Sequence, residues 1–171
     1  MHTPTLHLLM GLPGAGKSTL AETLHQLVHA EVVSSDTCRI ELFDSPTFSQ
    51  NEHDALYRYL DTLVEKLLCD GKDVVYDANL NRYEHRAEKY HLASKLGVKT
   101  RLWWVQTAKD LAKSRRISEQ NHILIPEGET PEKMFERIAL VLQAPDKNEP
   151  YTAVDGTKID APYISQLLSE P

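Results

Sequence analysis

The 171-residue chain predicts an α/β fold, a parallel sheet covered by helices on both faces, from three features of its sequence. Short apolar runs alternate with longer stretches of helical periodicity along the chain, the pattern of repeated strand–helix–strand units. The first run, Leu6-His7-Leu8-Leu9-Met10, is nearly continuous rather than alternating, as a central strand buried on both faces requires. Directly after it comes a glycine-rich turn, Gly11-Leu12-Pro13-Gly14-Ala15-Gly16, with Lys17 and Ser18 leading into a helix.

The remaining elements follow in order. Ser18–His29 puts Leu20, Leu24, Leu27 and Val28 on one helical face. Val32 and Val33 mark a second strand within Glu31–Ser35, and Ile40 to Gln50, with Pro46 and several small polar residues, is expected to be irregular. Asn51–Asp70 carries Leu56, Leu60, Leu63, Val64, Leu67 and Leu68 at helical spacing, and Gly71 closes it. A third strand falls at Asp73–Asp77, a more polar helix at Tyr83–Leu96 before Gly97, and a fourth strand at Val98–Val105. Ala108–Asn121 reads as a helix rich in Lys and Arg but poor in apolar periodicity. Thr130-Pro131-Glu132 starts another helix with Pro in its first turn, with Met134, Ile138, Val141 and Leu142 on one side. Tyr151–Val154 supplies a fifth strand, and Asp160-Ala161-Pro162 opens a last short helix. No repeat, low-complexity tract or linker interrupts this order, so residues 1–171 are expected to form one domain.

Composition narrows the function classes. A net charge of −6 argues against broad electrostatic binding to a long nucleic acid, while leaving room for a 5′-end held in a local basic pocket. No apolar stretch approaches the roughly 20 residues needed to cross a bilayer. The opening Met1-His2-Thr3-Pro4-Thr5 lacks the basic segment and cleavage site of a signal peptide, and Cys38 and Cys69 lack metal-ligand spacing. A reduced cytoplasmic setting without membrane association is the expectation. His85, His91 and His122 show no ligand spacing and are expected to be surface or packing residues.

Residues Gly11 to Ser18 match the phosphate-binding loop, two glycines five apart followed by Lys and Ser, in its strand-to-helix setting. Gly14 and Gly16 can adopt dihedrals closed to other residues, so the loop can wrap with several N–H groups pointing inward. The helix that follows adds the positive end of its dipole at the same point. Gly11, Pro13, Gly14, Ala15, Gly16, Lys17, Ser18 and Thr19 are therefore assigned to the phosphates of ATP. Lys17 would reach the β- and γ-phosphates, and the Ser18 hydroxyl is a hard oxygen ligand for Mg²⁺. No Asn-Lys-x-Asp signature of guanine readers occurs, so ATP is the default nucleotide.

In open α/β sheets ligands bind beyond the carboxyl ends of the strands, so polar residues there should face the loop. Asp36 ends the second strand and Asp77 the third. Asp77 is the candidate to orient Mg²⁺ through water and to lie against the substrate, and Asp36 the candidate to accept a proton from an attacking hydroxyl. Both could instead simply cap the following helix or turn. Arg39, one helical turn after Asp36, could anchor the acceptor or make a surface ion pair with Asp36 or Glu41. Lys113, Arg115 and Arg116 form a basic cluster suited to a lid at about 108–130, with Arg116 preferred as the arginine that counters charge on the transferred phosphoryl group. Asn79 and Asn81 are expected to shape the turn after the third strand.

Three segments together resemble a known family: Gly11 to Thr19, Ser35-Asp36-Thr37-Cys38-Arg39, and Val74-Val75-Tyr76-Asp77-Ala78-Asn79-Leu80-Asn81. They are similar to the small P-loop kinases, AAA-like ATP-binding proteins related to the 5′-kinase domain of polynucleotide kinase. Arg39-Ile40-Glu41-Leu42-Phe43 also looks like the sequence following the aspartate in many of them, and the resemblance spans roughly Leu6 to Pro126. It implies a five-stranded parallel sheet of order 2-3-1-4-5. It also implies that Asp36 activates the acceptor hydroxyl, Arg39 contacts the acceptor, Asp77 lies beside Asp36, and Arg115 or Arg116 reaches the ATP phosphates. Relatives often carry a second lid arginine a turn later, where this chain has Glu119, Gln120 and Asn121.

The leading expectation is an ATP- and Mg²⁺-dependent kinase whose partners are ATP and a hydroxyl-bearing acceptor, either a small molecule or a nucleic-acid 5′-end. The acidic balance favours a small metabolite, nucleoside or drug-like alcohol, and the segment Ile40–His53 is expected to form part of the acceptor pocket. A nucleotide-dependent switch or ATPase and a non-catalytic ATP-binding module are the competing readings. The sequence leaves oligomeric state open.

Overall fold

The structure, a computed structural model, describes residues 2–119 and 124–170. The expectations placed on Gln120, Asn121 and His122, and that part of the 108–130 lid, lie outside the described residues. Strand β1 (Thr5–Met10) is central, flanked by β3 (Val74–Asp77) and β4 (Lys99–Gln106), with β2 (Glu31–Ser34) and β5 (Thr152–Asp155) at the edges. All four pairings are parallel and the order is β2-β3-β1-β4-β5, the P-loop NTPase topology. Every strand therefore ends on the same edge of the sheet, where Leu8 pairs with Tyr76 and Ser34 with Asp77.

Seven helices complete the described chain: α1 (Lys17–Val28), α2 (Ser35–Leu42), α3 (Gln50–Cys69), α4 (Tyr83–Leu96), α5 (Lys109–Ser118), α6 (Pro131–Leu140) and α7 (Ala161–Ser169). The period-two alternation of β1 feeds two cores. Leu6, Leu8 and Met10 pack with Leu56, Leu60 and Val64 of α3, whereas Leu9 packs with Leu20 and Leu24 of α1 and Ile164 of α7. His7 interrupts the apolar run because it has a partner: Trp103 Nε1 donates to its Nδ1 at 3.0 Å. Burial lowers the His7 pKa to about 4, so the imidazole is neutral at neutral pH.

The polar character of α4 has a similar cause. Its inward side chains include Arg86 and Lys89, both buried, instead of an apolar stripe. Arg86 bonds Glu149 through Nε and Nη2 at 2.6 and 2.9 Å and also donates to the carbonyls of Leu80, Asn81 and Gln143. Lys89 bonds Asp61 at 2.5 Å.

Three boundaries differ from expectation. Ile40–Leu42, predicted irregular, belongs to α2, which buries only Cys38 and Arg39 and so presents no apolar stripe to read. The basic helix stops at Ser118. Helix α6 ends at Leu140, short of Val141 and Leu142, and its buried anchor is Phe135. Met134 and Ile138 look instead into the cleft described next. Both cysteines are free thiols, and among the described residues no helix is long and apolar enough to cross a membrane.

Candidate active site

A cleft of about 730 Å³ opens at the carboxyl edge of the sheet, lined by Pro13, Gly14, Gly16 to Thr19, Asp36, Arg39, Asp77, Arg115 and Arg116, among others, while Ala15 is buried in the core. Nearly every residue singled out in the sequence thus meets in one place. Gly11 lies beneath the loop, where its N–H donates to Asn81 Oδ1 at 3.1 Å. Asn79 Oδ1 accepts from the Asn81 amide at 3.3 Å, so this pair shapes the turn, as expected, and Asn81 also fixes the loop's first glycine.

The loop is backbone brought close to backbone. Gly14 has φ 77°, and a Cβ there would sit 2.1 Å from the carbonyl oxygen of Ala112 in α5. The basic helix is therefore packed directly on the phosphate loop. Helix α1 starts after Gly16 with no side-chain cap and no acidic residue in its first turn. Its first amides and dipole are left for an anion.

Lys17 is partly buried and folds its ammonium back onto the loop, donating to Gly11 O at 3.1 Å and Leu12 O at 2.9 Å. Burial lowers its pKa to about 8, with Arg116 adding to the effect and Asp77 and Asp36 opposing it. Asp77 closes β3. Burial and the Asp36 carboxylate push its pKa up, while Lys17 and a hydrogen bond from Ser18 pull it down. Asp36 lies not at the end of β2, which stops at Ser34, but in the first turn of α2. It is near enough to act on both Lys17 and Asp77.

The donor set suits Mg²⁺. Ser18 and Asp77 offer a hydroxyl and a carboxylate already in contact, hard oxygens of the kind that ion prefers. Among the described residues no group of three or more His, Cys, Asp or Glu gathers as an all-protein metal cage.

The basic cluster divides its work. Lys109 and Lys113 both pair with Glu136 at 2.8 Å and clasp α5 to α6. Arg115 Nη1 donates to Gly156 O at 3.0 Å, tying α5 to the turn after β5. Arg116 lies 3.8 Å from Glu119 and is the arginine that acts on Lys17.

Arg39 makes neither of the surface pairs predicted for it. It is buried against Glu52 and its guanidinium lies 4.6 Å over the Phe48 ring. Glu52 also accepts from Thr47 N, Thr47 Oγ1 and Phe48 N at 2.6, 2.9 and 3.2 Å. Burial pushes the Glu52 pKa up, but these bonds outweigh it and hold the carboxyl below its usual range. The sequence did carry a hint: Ser49 and Glu52 have capping-box spacing, and the Ser49 hydroxyl accepts from Glu52 N at the start of α3. Phe48 and His53, both within the Ile40–His53 segment expected at the acceptor pocket, also line the cleft, as do Tyr57, Arg137 and the turn from Gly156 to Ile159, which no local pattern marked.

Comparisons with known proteins agree with this fold. The model of a family described as the AAA domain matches residues 6–145. A search of the curated proteins finds no match. Among solved structures, a candidate kinase from Chloroflexus aurantiacus superposes with TM-score 0.73 at 19% identity, covering 97% of each chain. A gluconokinase from Sinorhizobium meliloti gives TM-score 0.67 at 14% identity, covering 99% of this chain and 92% of that one. A chain of the Pnkp1/Rnl/Hen1 RNA repair complex gives TM-score 0.66 at 23% identity over 82% of this chain and 46% of its own length. At these identities the shared property is the fold.

Proposed function

The chain belongs to the AAA domain family, and on that footing we propose that it is an ATP-dependent kinase transferring the γ-phosphoryl group to an alcohol, within one domain whose basic helix α5 serves as the lid. The observation that carries the reading is the meeting, in one cleft, of an uncapped phosphate cradle, Lys17, two carboxylates and a basic helix packed on the loop. A nucleotide-binding module needs only the cradle. Phosphoryl transfer needs all four.

In this reading the amides of Gly14 and of Gly16 to Thr19 hold the triphosphate and Lys17 exchanges its loop carbonyls for phosphate oxygens. Ser18, and Asp77 through water, would hold Mg²⁺, which spreads charge off the β- and γ-phosphates. Asp36 takes the proton from the acceptor hydroxyl as its oxygen bonds to the γ-phosphorus, and the bond to the β-phosphate oxygen breaks to release ADP. Arg116 stabilises charge on the phosphoryl group in flight, and Arg115 braces the turn at Gly156.

Asp36→Asn tests the reading. Acceptor-dependent turnover should fall by roughly 10²–10⁴-fold, with nucleotide affinity by calorimetry unchanged within about twofold. Equal turnover in the variant removes Asp36 from the chemistry. Turnover that needs a protein partner and no alcohol would mark a switch, and nucleotide uptake without turnover a binding module.

A further inference from the structure

Among the described residues, the cations that line the cleft outside the phosphate loop and α5 are already matched. Arg39 is matched by Glu52, with side chains only 8% and 6% exposed. Arg137 is held by Glu129 through two bonds, of 2.8 and 2.9 Å. Burial and the neighbouring Arg39 keep the His53 pKa below its usual value, so that ring is uncharged at neutral pH. The cations left over, Lys17, Arg115 and Arg116, belong to the phosphate loop and α5. What faces an incoming alcohol without an ionic partner of its own on that side is Asp36.

The same end carries rings. His53 and Tyr57 lie one turn apart on α3 with centroids 4.4 Å apart and planes tilted by 33°. Phe48 lines the cleft from the connection between α2 and α3 with φ 56°, a left-handed conformation that a bulky residue adopts only when its surroundings impose it. Glu52 imposes it here, through its bonds to Thr47 and Phe48. A side chain held in strain beside a cleft, with its ring backed by a matched ion pair, is a preorganised surface.

Resting on the kinase reading, we propose that the acceptor is an uncharged alcohol bearing an aromatic ring, which packs against Phe48, His53 and Tyr57 while its hydroxyl meets Asp36. An acceptor with a carboxylate or phosphate would find no unmatched cation on this wall among the described residues and would be repelled by Asp36. An ammonium-bearing acceptor would lodge on Asp36 and occupy the carboxylate needed for proton transfer.

The test follows labelled γ-phosphate from ATP to thymidine, cytidine and 2-phenylethanol, and to gluconate, thymidine 3′-monophosphate and kanamycin. Thymidine should exceed its 3′-monophosphate in kcat/KM by about tenfold or more. The nucleosides and the arylalkanol separate the two sources of such a ring. Phe48→Ala should raise the acceptor KM about tenfold with the ATP KM unchanged, and Phe48→Tyr should restore it. Preference for gluconate, the 3′-monophosphate or kanamycin overturns the inference and leaves the kinase reading intact. Absence of transfer to every compound tells against the kinase reading instead. The wall is then judged by thymidine calorimetry on protein saturated with a non-hydrolysable ATP analogue: binding weakened by Phe48→Ala supports it, and no binding overturns it.

Discussion

On the phosphate wall of the cleft the contacts are offered by backbone: amides of an eight-residue loop, a helix start without a cap, and a glycine pressed against the carbonyl of Ala112. The acceptor wall is made of side chains from separate elements, Arg39 from α2, Phe48 from the connection after it, and His53 and Tyr57 from α3, while Met134, Arg137 and Ile138 line the cleft from α6, which is clasped to α5. A triphosphate presents the same oxygens in every enzyme that uses it, so a wall of fixed amides suffices. An acceptor varies, and a wall of side chains can be changed one residue at a time while the sheet and loop stay put.

The sharpest way to break the acceptor wall alone is at Glu52. Glu52→Ala leaves the buried Arg39 guanidinium unmatched and frees Thr47 and Phe48 from their acceptor. Denaturant unfolding should show a loss of about 3 kcal/mol. Nucleotide affinity of the folded fraction should be unchanged, because no Glu52 contact reaches the loop. A variant that loses nucleotide binding while still folded would show the two walls to be coupled.

Breaking the phosphate wall takes one methyl group. In Gly14→Ala the new Cβ meets Ala112 O at 2.1 Å and the residue must keep a φ of 77°. Either the loop or α5 has to move, and both line the proposed phosphate site. Nucleotide affinity by calorimetry should fall about a hundredfold, close to 2.7 kcal/mol, while the acceptor wall keeps its conformation. Affinity within threefold of the parent would mean that α5 can lift off the loop at little cost.

How much of each wall was legible follows from the same contrast. The phosphate loop is contiguous, and Asp77 was found because strand ends face one edge of a parallel sheet. Asp36 was found the same way, although it proved to sit one step further on, in α2. Only the first turn of that helix was legible, because the helix buries a cysteine and an arginine rather than an apolar stripe. Nor was the burial of Arg39, expected to anchor the acceptor or make a surface pair, legible: its partner, Glu52, lies thirteen residues on, across a connection without regular structure. Helix α6 was legible as a helix from Thr130 and Pro131, but not as a wall of the cleft. Its orientation depends on Glu136 gripping two lysines of α5, a tertiary fact with no sequence signature.

The smallest effect tests whether Lys17 belongs to the phosphate wall in function as well as in position. In the free protein burial holds its pKa at about 8, against 10.5 for an exposed lysine, and its ammonium is spent on the carbonyls of Gly11 and Leu12. A triphosphate in the cradle would supply negative charge beside it and raise that pKa. Binding above pH 8 must then draw a proton from solution, and apparent affinity should fall by up to about tenfold for each unit of pH between the free and the bound pKa. The γ-phosphate is already fully ionised in that range, so it adds no proton of its own. Calorimetry at about pH 8.5 in buffers of differing ionisation enthalpy reads the uptake directly, with most of one proton expected. Lys17→Met should abolish it. Nucleotide binding without proton uptake would mean that the ammonium stays on its carbonyls when the cradle fills, and the phosphate wall would then be made of amides alone.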